Sequence, residues 1–325
     1  MAVQRIPLNV FSMAFGLAGL GGTWVTAGQA GHVPVAVGRA LIGLAAVVWL
    51  VSVGWYLRYV CGGRGRLRAD LEDPVASPFA SLALIAPMLM ASLGLAPYSP
   101  TAGRILVDVF LVLTVLFGGW LTGQWIVGHV ELDQMHPGYY LPGVAGGLVA
   151  CASAATVGQT LLAVVMFGFG VISWFILGSV VTGRLLHRPR LPAPLLPTMA
   201  IEVAPPAIAS VAVFALDKGR VDFIAAVLAG YGLLMVIVQL RLLPLYARLR
   251  FTVATWAFTF SWAVVATTTL HWIDAAKPAG HAVYTYLVLG AVTVLIGGIA
   301  ARTVLALARG ELLRPASPAS DANSS

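Results

Sequence analysis

Charged residues are scarce in this chain of 325 residues. They make up 10% of it, whereas hydrophobic residues make up 59%, and the mean hydropathy is +0.92. A water-soluble domain carries about 25% charged residues. Most of the surface is therefore predicted to face lipid, and no stretch is polar enough to form a separate soluble domain. The net charge of +7 is explained by basic residues that cluster at the cytoplasmic ends of membrane helices, so no nucleic-acid partner is expected.

Motifs for chemistry are also missing. Two cysteines, Cys61 and Cys151, are too few for a disulfide framework or a cysteine metal cluster. The six histidines form neither an HExxH motif nor an HxxxH pair, and there is no Walker A sequence. We therefore predict no enzyme activity, no metal site, no cofactor and no ATP-driven pumping by this chain.

Long apolar runs follow one another along almost the whole chain. Because backbone groups in a bilayer must be paired within a segment, such runs indicate membrane-spanning helices, each needing about 20 residues. The predicted spans are 7–27, 34–60, 79–96, 103–127, 141–158, 160–183, 198–216, 221–243, 252–271 and 281–308. The sequence thus predicts an all-α integral membrane fold with ten helices in one domain, residues 1–310. Residues 311–325 have the composition of a disordered cytoplasmic tail.

The basic residues indicate how these helices are oriented. Cytoplasmic loops of membrane proteins carry an excess of Lys and Arg. With the amino terminus in the cytoplasm, five of the 19 basic residues fall outside, namely Arg39, Arg104, Lys218, Arg220 and Lys277. The other fourteen fall at cytoplasmic ends, namely Arg5, Arg58, Arg64, Arg66, Arg68, Arg184, Arg188, Arg190, Arg241, Arg248, Arg250, Arg302, Arg309 and Arg314. Both termini are therefore predicted to be cytoplasmic.

The predicted helices alternate in character. The first, third, fifth, seventh and ninth are short and rich in small or hydroxylated residues, and four of them contain proline: Pro7, Pro87, Pro142 and the pair Pro205-Pro206. Proline removes a helical hydrogen bond, and the freed carbonyl needs a protein or water neighbour. Such helices belong inside, which favours five hairpins with a pseudo-fivefold ring of inner helices around a path. The alternative is that proline and glycine are simply common in membrane helices.

Ionisable residues within spans are candidates for function. Asp108 lies four residues after Arg104, so a local ion pair on one helix face is favoured. Glu202 lies near the cytoplasmic end of the seventh helix; it could pair with an arginine, guard a pore mouth or carry a coupling proton. In the ninth helix, Phe258 and Phe260 point to different faces, and periodicity alone favours core packing for Phe260.

Several segments resemble one family of transporters. They are Phe11-Ser-Met-Ala-Phe-Gly-Leu17, His136-Pro-Gly-Tyr-Tyr-Leu-Pro142, Ala204-Pro-Pro206, Gly230-Tyr-Gly232, Gln239-Leu-Arg-Leu-Leu-Pro244 and Trp256-Ala-Phe-Thr-Phe260. In this order and spacing they are similar to the tellurite-resistance/dicarboxylate transporter family, which has a TehA-like bacterial branch and includes the plant slow-type anion channels.

The resemblance implies a homotrimer in which each copy has its own pore for small anions. It also implies that Phe260 is the residue that occludes the pore and that Ser12 faces it, where channel relatives often have glycine. The pore-lining candidates are Ser12, Gly16, Pro87, Pro142, Pro205 and Thr259. Glu202 departs from relatives that are apolar at this position, which makes it a possible proton or charge site.

The function predicted from the sequence is a gated channel or facilitator for small anions in the inner (plasma) membrane. The alternative is a proton-linked carrier of a dicarboxylate, sulfite or tellurite-type oxyanion, motivated by Glu202. A structural or sensory membrane protein without transport is a third class, which no sequence feature favours.

Overall fold

The computed structural model describes residues 6–128 and 130–310, and within these ranges the secondary structure is helical, with no strand. Nine helices are long and apolar enough to cross a membrane: α1 (Leu8–Gln29), α2 (Val35–Cys61), α4 (Ser77–Leu95), α5 (Pro100–Gly128), α7 (Thr160–His187), α8 (Ala193–Leu216), α9 (Phe223–Tyr246), α10 (Val253–Ala276) and α11 (His281–Ala308). Two are shorter: α3 (Arg66–Glu72), and α6, a π-helical turn (Leu141–Ala145) continued by an α-helix (Gly146–Thr156).

These bounds can be compared with the ten predicted spans. Each predicted span overlaps one helix, and the predicted division near Gly158 is present, because α6 ends at Thr156 and α7 begins at Thr160. The fifth span corresponds to α6, which is shorter than a bilayer requires. Nearly all of α6 is enclosed by other helices, so it does not have to meet lipid itself. Helix α3, charged and outside the apolar runs, was not predicted. The predicted tail, Arg5, Arg314 and His129 lie outside the described residues.

The long helices fall into two groups by burial. In the most apolar windows of α1, α4, α8 and α10, 50 to 72% of the residues are buried, against 17 to 28% in α2, α5, α7, α9 and α11. Together with α6 we call the first group the inner helices and the second the outer helices. The alternation expected from composition is therefore present in the burial of the side chains.

Four inner helices begin with a 3₁₀ turn, and α6 follows one at Pro137–Tyr139. Prolines perturb the helical ladder further along: Pro87 precedes a π-helical stretch at Met90–Leu95, and Pro142 lies within the π turn of α6. The carbonyl of Ala83, one turn before Pro87, accepts a hydrogen bond of 3.0 Å from the indole nitrogen of Trp49 on α2. An outer helix thus satisfies the backbone group that the proline leaves free, as expected for a kinked helix in lipid.

The segment before α6 is anchored by His136. The backbone N–H of Gly138 donates to His136 Nδ1 at 3.1 Å, so Nε2 carries the proton and bonds the Val75 carbonyl at 3.1 Å. Burial lowers the pKa of His136 to about 4, although its bond to Val75 acts in the opposite direction. His136 is therefore neutral at physiological pH, and it fixes the loop that leads into α6 against the start of α4.

The favoured ion pair between Arg104 and Asp108 is wrong for this structure. Asp108 Oδ1 instead accepts a hydrogen bond of 2.6 Å from Gln159 Nε2 in the turn between α6 and α7. No salt bridge joins Asp108 to any residue in the described ranges. Tertiary packing explains the difference, because the turn after α6 brings the Gln159 amide to Asp108, whereas the Arg104 side chain is exposed.

Candidate functional site

Two cavities lie between the inner helices. The first, which we call the narrow cavity, has a volume of about 50 Å³ and lies at the amino ends of the inner helices. Each inner helix, or the residue just before it, contributes to its wall; one representative of each is Asn9, Phe79, Tyr140, Thr198 and Ala254. No charged side chain lies among its lining residues, all of which belong to the described part of the chain.

The second, which we call the wide cavity, has a volume of about 410 Å³ and lies at the carboxyl ends of the same helices. Its wall is more polar and includes Gln29, Thr156, Lys218, His271 and Asp274. Since the amino halves of all five inner helices line one cavity and their carboxyl halves line the other, the five helices run in the same direction along one axis.

Phe260 lies where the two cavities approach each other. Phe260 and Ile208 are the two residues that line both cavities. The Phe260 ring stacks on Phe15, with 3.7 Å between the ring centroids and 19° between the planes. Gly19 lies on α1, the helix of Phe15, and a Cβ atom at Gly19 would lie 2.9 Å from Cδ2 of Phe260. The ring thus occupies space that the absent side chain of Gly19 leaves, between α1 and α10.

Three of the predicted site residues meet at the narrow cavity: Ser12, Pro205 and Phe260 all line it. Ser12 lies on the same face of α1 as Phe15, three residues earlier. Its hydroxyl donates to the Asn9 carbonyl at 2.5 Å, so its proton is already used within the helix. The Ser12 hydroxyl therefore has no free proton to donate to an anion in this conformation.

The other four predicted lining residues lie elsewhere. Gly16 and Thr259 face each other where α1 crosses α10, and a Cβ at Gly16 would overlap the Thr259 side chain. Thr259 is fully buried and donates to the Trp256 carbonyl at 2.7 Å. Pro87 and Pro142 shape their helices but, like this pair, line neither cavity. Gly16 and Thr259 thus bring α1 and α10 together, and none of the four residues forms the wall of either cavity.

Glu202 lies behind the wall of the narrow cavity. Both of its carboxylate oxygens accept the hydroxyl of Tyr140, at 3.1 Å each, and the Tyr140 side chain lines that cavity. No salt bridge joins Glu202 to a described residue. Pairing with an arginine, one of the three alternatives from the sequence, is therefore absent from the described part of the chain.

Almost the whole chain matches one known protein family. Residues 5–304 match the family model described as the voltage-dependent anion channel, SLAC1. The chain belongs to this family. A homologue of the tellurite resistance protein TehA from Haemophilus influenzae is 27% identical over 310 residues, covering 94% of this chain and 92% of that protein. The S-type anion channel SLAH3 of Arabidopsis thaliana is 21% identical over 313 residues, covering 93% of this chain and 48% of the plant protein.

A second plant protein, the S-type anion channel SLAH2, is 22% identical over 315 residues, covering 93% of this chain and 59% of that protein. The similarity to the tellurite-resistance family seen in the sequence is thus confirmed. Membership of the voltage-dependent anion channel family supports anion transport across a membrane as the general role of the chain.

Three further residues of the site, Phe15, Ile208 and Tyr140, were not predicted from the sequence. Phe15 follows Ser12 by three residues, so helical spacing alone could have placed it on the same face. Ile208 follows Pro205 by three residues in the same way. Tyr140 lies in a quoted motif, but nothing in the sequence shows that its hydroxyl binds Glu202, because the two residues are 62 positions apart.

Proposed function

We propose that this protein is a gated conduit for small anions. In this proposal the ten helices form five hairpins, and the inner helices make a pseudo-fivefold ring around one path through the membrane. The narrow and wide cavities are its two halves, and Phe260 closes it. The observation that carries the proposal is that the Phe260 ring lines both cavities, with the five inner helices contributing to each of them.

The preference for anions follows from the backbone and from the distribution of charge. The amino ends of helices carry a partial positive charge, and those of the inner helices face the narrow cavity. No negatively charged side chain lines that cavity. The cytoplasmic arginines predicted from the sequence would raise the local concentration of anions at that mouth. These features support a weak selectivity for anions that comes from the backbone. In this proposal both termini lie in the cytoplasm and the protein lies in the plasma membrane.

The outer helices carry the exposed surface of the fold. Large apolar side chains on them, such as Leu50, Leu116, Phe175 and Val294, are more than half exposed. They would contact lipid or neighbouring copies, since apolar surface avoids water. A homotrimer in which each copy keeps its own path remains an expectation from the family resemblance.

A second candidate, a proton-linked carrier, is favoured by one observation. Glu202 is a carboxyl group within a membrane helix whose hydrogen-bond partner, Tyr140, lines the narrow cavity. The other titratable side chains near it are Tyr231 and Tyr246 of α9. An intramembrane carboxyl without a cation is a typical proton site, and its protonation would remove a negative charge beside the path.

Anion flux from proteoliposomes separates the two candidates. We expect chloride and nitrate efflux with a rate that changes by less than about twofold between pH 5.5 and 7.5, and that Glu202→Gln leaves unchanged, because no step of a channel requires this proton. A carrier would instead give saturable flux of malate or sulfite that rises with a proton gradient and is lost in Glu202→Gln. Tyr140→Phe, which removes the hydroxyl but keeps the carboxyl, is the matched control. Absence of flux for all four anions in both the unmodified protein and the Phe260→Ala variant would contradict the conduit itself.

A further inference from the structure

The polar side chains of the narrow cavity differ in whether their protons are free. Its wall contains four hydroxyl groups, those of Ser12, Tyr140, Thr198 and Ser261. An anion is bound by hydrogen-bond donors, whereas a hydroxyl whose proton is already donated offers an anion only oxygen lone pairs. The state of each donor therefore decides which residues of the wall can bind an anion.

All four hydroxyl protons are already used. Ser12 donates to the Asn9 carbonyl at 2.5 Å and Tyr140 to the Glu202 carboxylate at 3.1 Å. Thr198 and Ser261 donate to carbonyls of their own helices, at 2.7 Å and 3.0 Å. The indole N–H of Trp256, which also lines the cavity, donates to Thr303 Oγ1 at 2.9 Å.

Asn9 is the exception in this wall. It lies in the 3₁₀ turn at the start of α1, one turn before Ser12. Its side-chain oxygen is buried without a hydrogen-bond partner, and its amide nitrogen makes no hydrogen bond to a residue in the described ranges. A carboxamide carries two N–H donors. Asn9 lines the cavity, and because no protein acceptor engages these two donors, they are available to a ligand that enters it.

We infer that the Asn9 carboxamide is the binding site for a partly dehydrated monovalent anion, such as chloride or nitrate, in the narrow cavity beside Phe260. This inference rests on the proposed function. The amide supplies the side-chain donors that the engaged hydroxyls and the indole do not, and the amino ends of the inner helices add a favourable potential. Asn9 therefore sets how strongly an anion is held just before it passes the aromatic ring.

The test uses the open variant Phe260→Ala as parent, so that passage through the ring does not limit the flux. Asn9→Leu keeps the approximate shape of the side chain and removes both donors. We expect chloride efflux from proteoliposomes to fall roughly 2- to 10-fold, the range for the loss of one neutral hydrogen bond, and the half-saturating chloride concentration to rise. Asn9→Gln, which keeps the amide, should retain most of the flux.

Thr198→Val is the matched control, since it removes a polar group from the same wall whose proton is already donated. We expect its chloride flux to stay within about twofold of the parent. If Asn9→Leu does not yield a monodisperse protein, Asn9→Asp serves instead, because it keeps the size of the side chain, replaces the donors by a carboxylate and should lower the flux further.

Three results would overturn the inference: unchanged flux and half-saturation in Asn9→Leu, unchanged flux in Asn9→Asp, or an equal loss in Thr198→Val. Failure of the underlying conduit is distinguishable, because then the parent Phe260→Ala would itself pass no chloride.

Discussion

Replacing Phe260 by alanine should raise chloride flux through the reconstituted protein by roughly tenfold or more. In the proposed conduit the ring is the apolar barrier between the narrow and wide cavities, and an anion must shed water to pass it. Removing about 1.4 kcal/mol from such a barrier gives a tenfold faster rate, and an opened aromatic constriction removes at least that. The measurement is chloride efflux from proteoliposomes containing equal amounts of protein.

Phe258→Ala is the control for this variant. It makes the same change two residues away, on a different face of α10. There the Phe258 ring packs edge-on against Tyr246 of α9, with 4.8 Å between the ring centroids. Its flux should match that of the unmodified protein. Equal flux in the Phe258 and Phe260 variants, with both proteins monodisperse, would mean that the ring at 260 does not close the path.

Replacing Gly38 by leucine should abolish the stable fold. Gly38 of α2 faces α1 so closely that a Cβ atom would lie 2.6 Å from the Val25 backbone nitrogen and 2.8 Å from the Gly21 carbonyl oxygen. Backbone atoms cannot turn aside as a flexible side chain can, so α1 and α2 would have to separate. Because small residues allow membrane helices to pack closely, and overpacking alone costs about 1–3 kcal/mol, we expect a larger loss here.

The measurement is the thermal stability and monodispersity of the detergent-purified protein. Gly43→Leu provides the matched control, since Gly43 lies on the same helix, is exposed, and has no atom within 4 Å of a Cβ position. Its side chain would project into lipid, so its melting temperature should stay close to that of the unmodified protein. A Gly38→Leu protein as stable as Gly43→Leu would contradict the close contact between α1 and α2.

The helices were predictable because hydropathy and length report directly on crossing a bilayer. Proline content together with small and hydroxylated residues indicated the buried set, although the inner helix α10 contains no proline and the outer helix α9 contains Pro244. The short α6 shows the limit of that reasoning, since a helix enclosed by protein does not need the length that lipid requires. Contacts between distant residues were not predictable. The Asp108–Gln159 and Tyr140–Glu202 bonds depend on how helices pack, which neither charge spacing nor periodicity encodes.

The candidate site shows the same division. Periodicity favoured core packing for Phe260, and only the family resemblance suggested that it is a gate. Gly16 and Thr259 were chosen for their size and polarity, but these properties are also those of a close helix crossing, and the structure places both residues there. The free donors of Asn9 could not be inferred from sequence, because they stand out only once the partners of the surrounding hydroxyls are known.

If the two cavities form one anion path that Phe260 closes, a bulky group attached to the wall of the wide cavity should block that path. In a Phe260→Ala background with Cys61 and Cys151 replaced by serine, a single cysteine is placed at Thr26, which lines the wide cavity, or at Val47, which is 57% exposed on the outer helix α2. Each cysteine is then modified by a bulky anionic thiol reagent, and chloride efflux is measured. We expect modification at position 26 to abolish the efflux and modification at position 47 to leave it unchanged. Undiminished efflux after complete modification of Cys at position 26, verified by mass spectrometry, would show that chloride does not pass through the wide cavity.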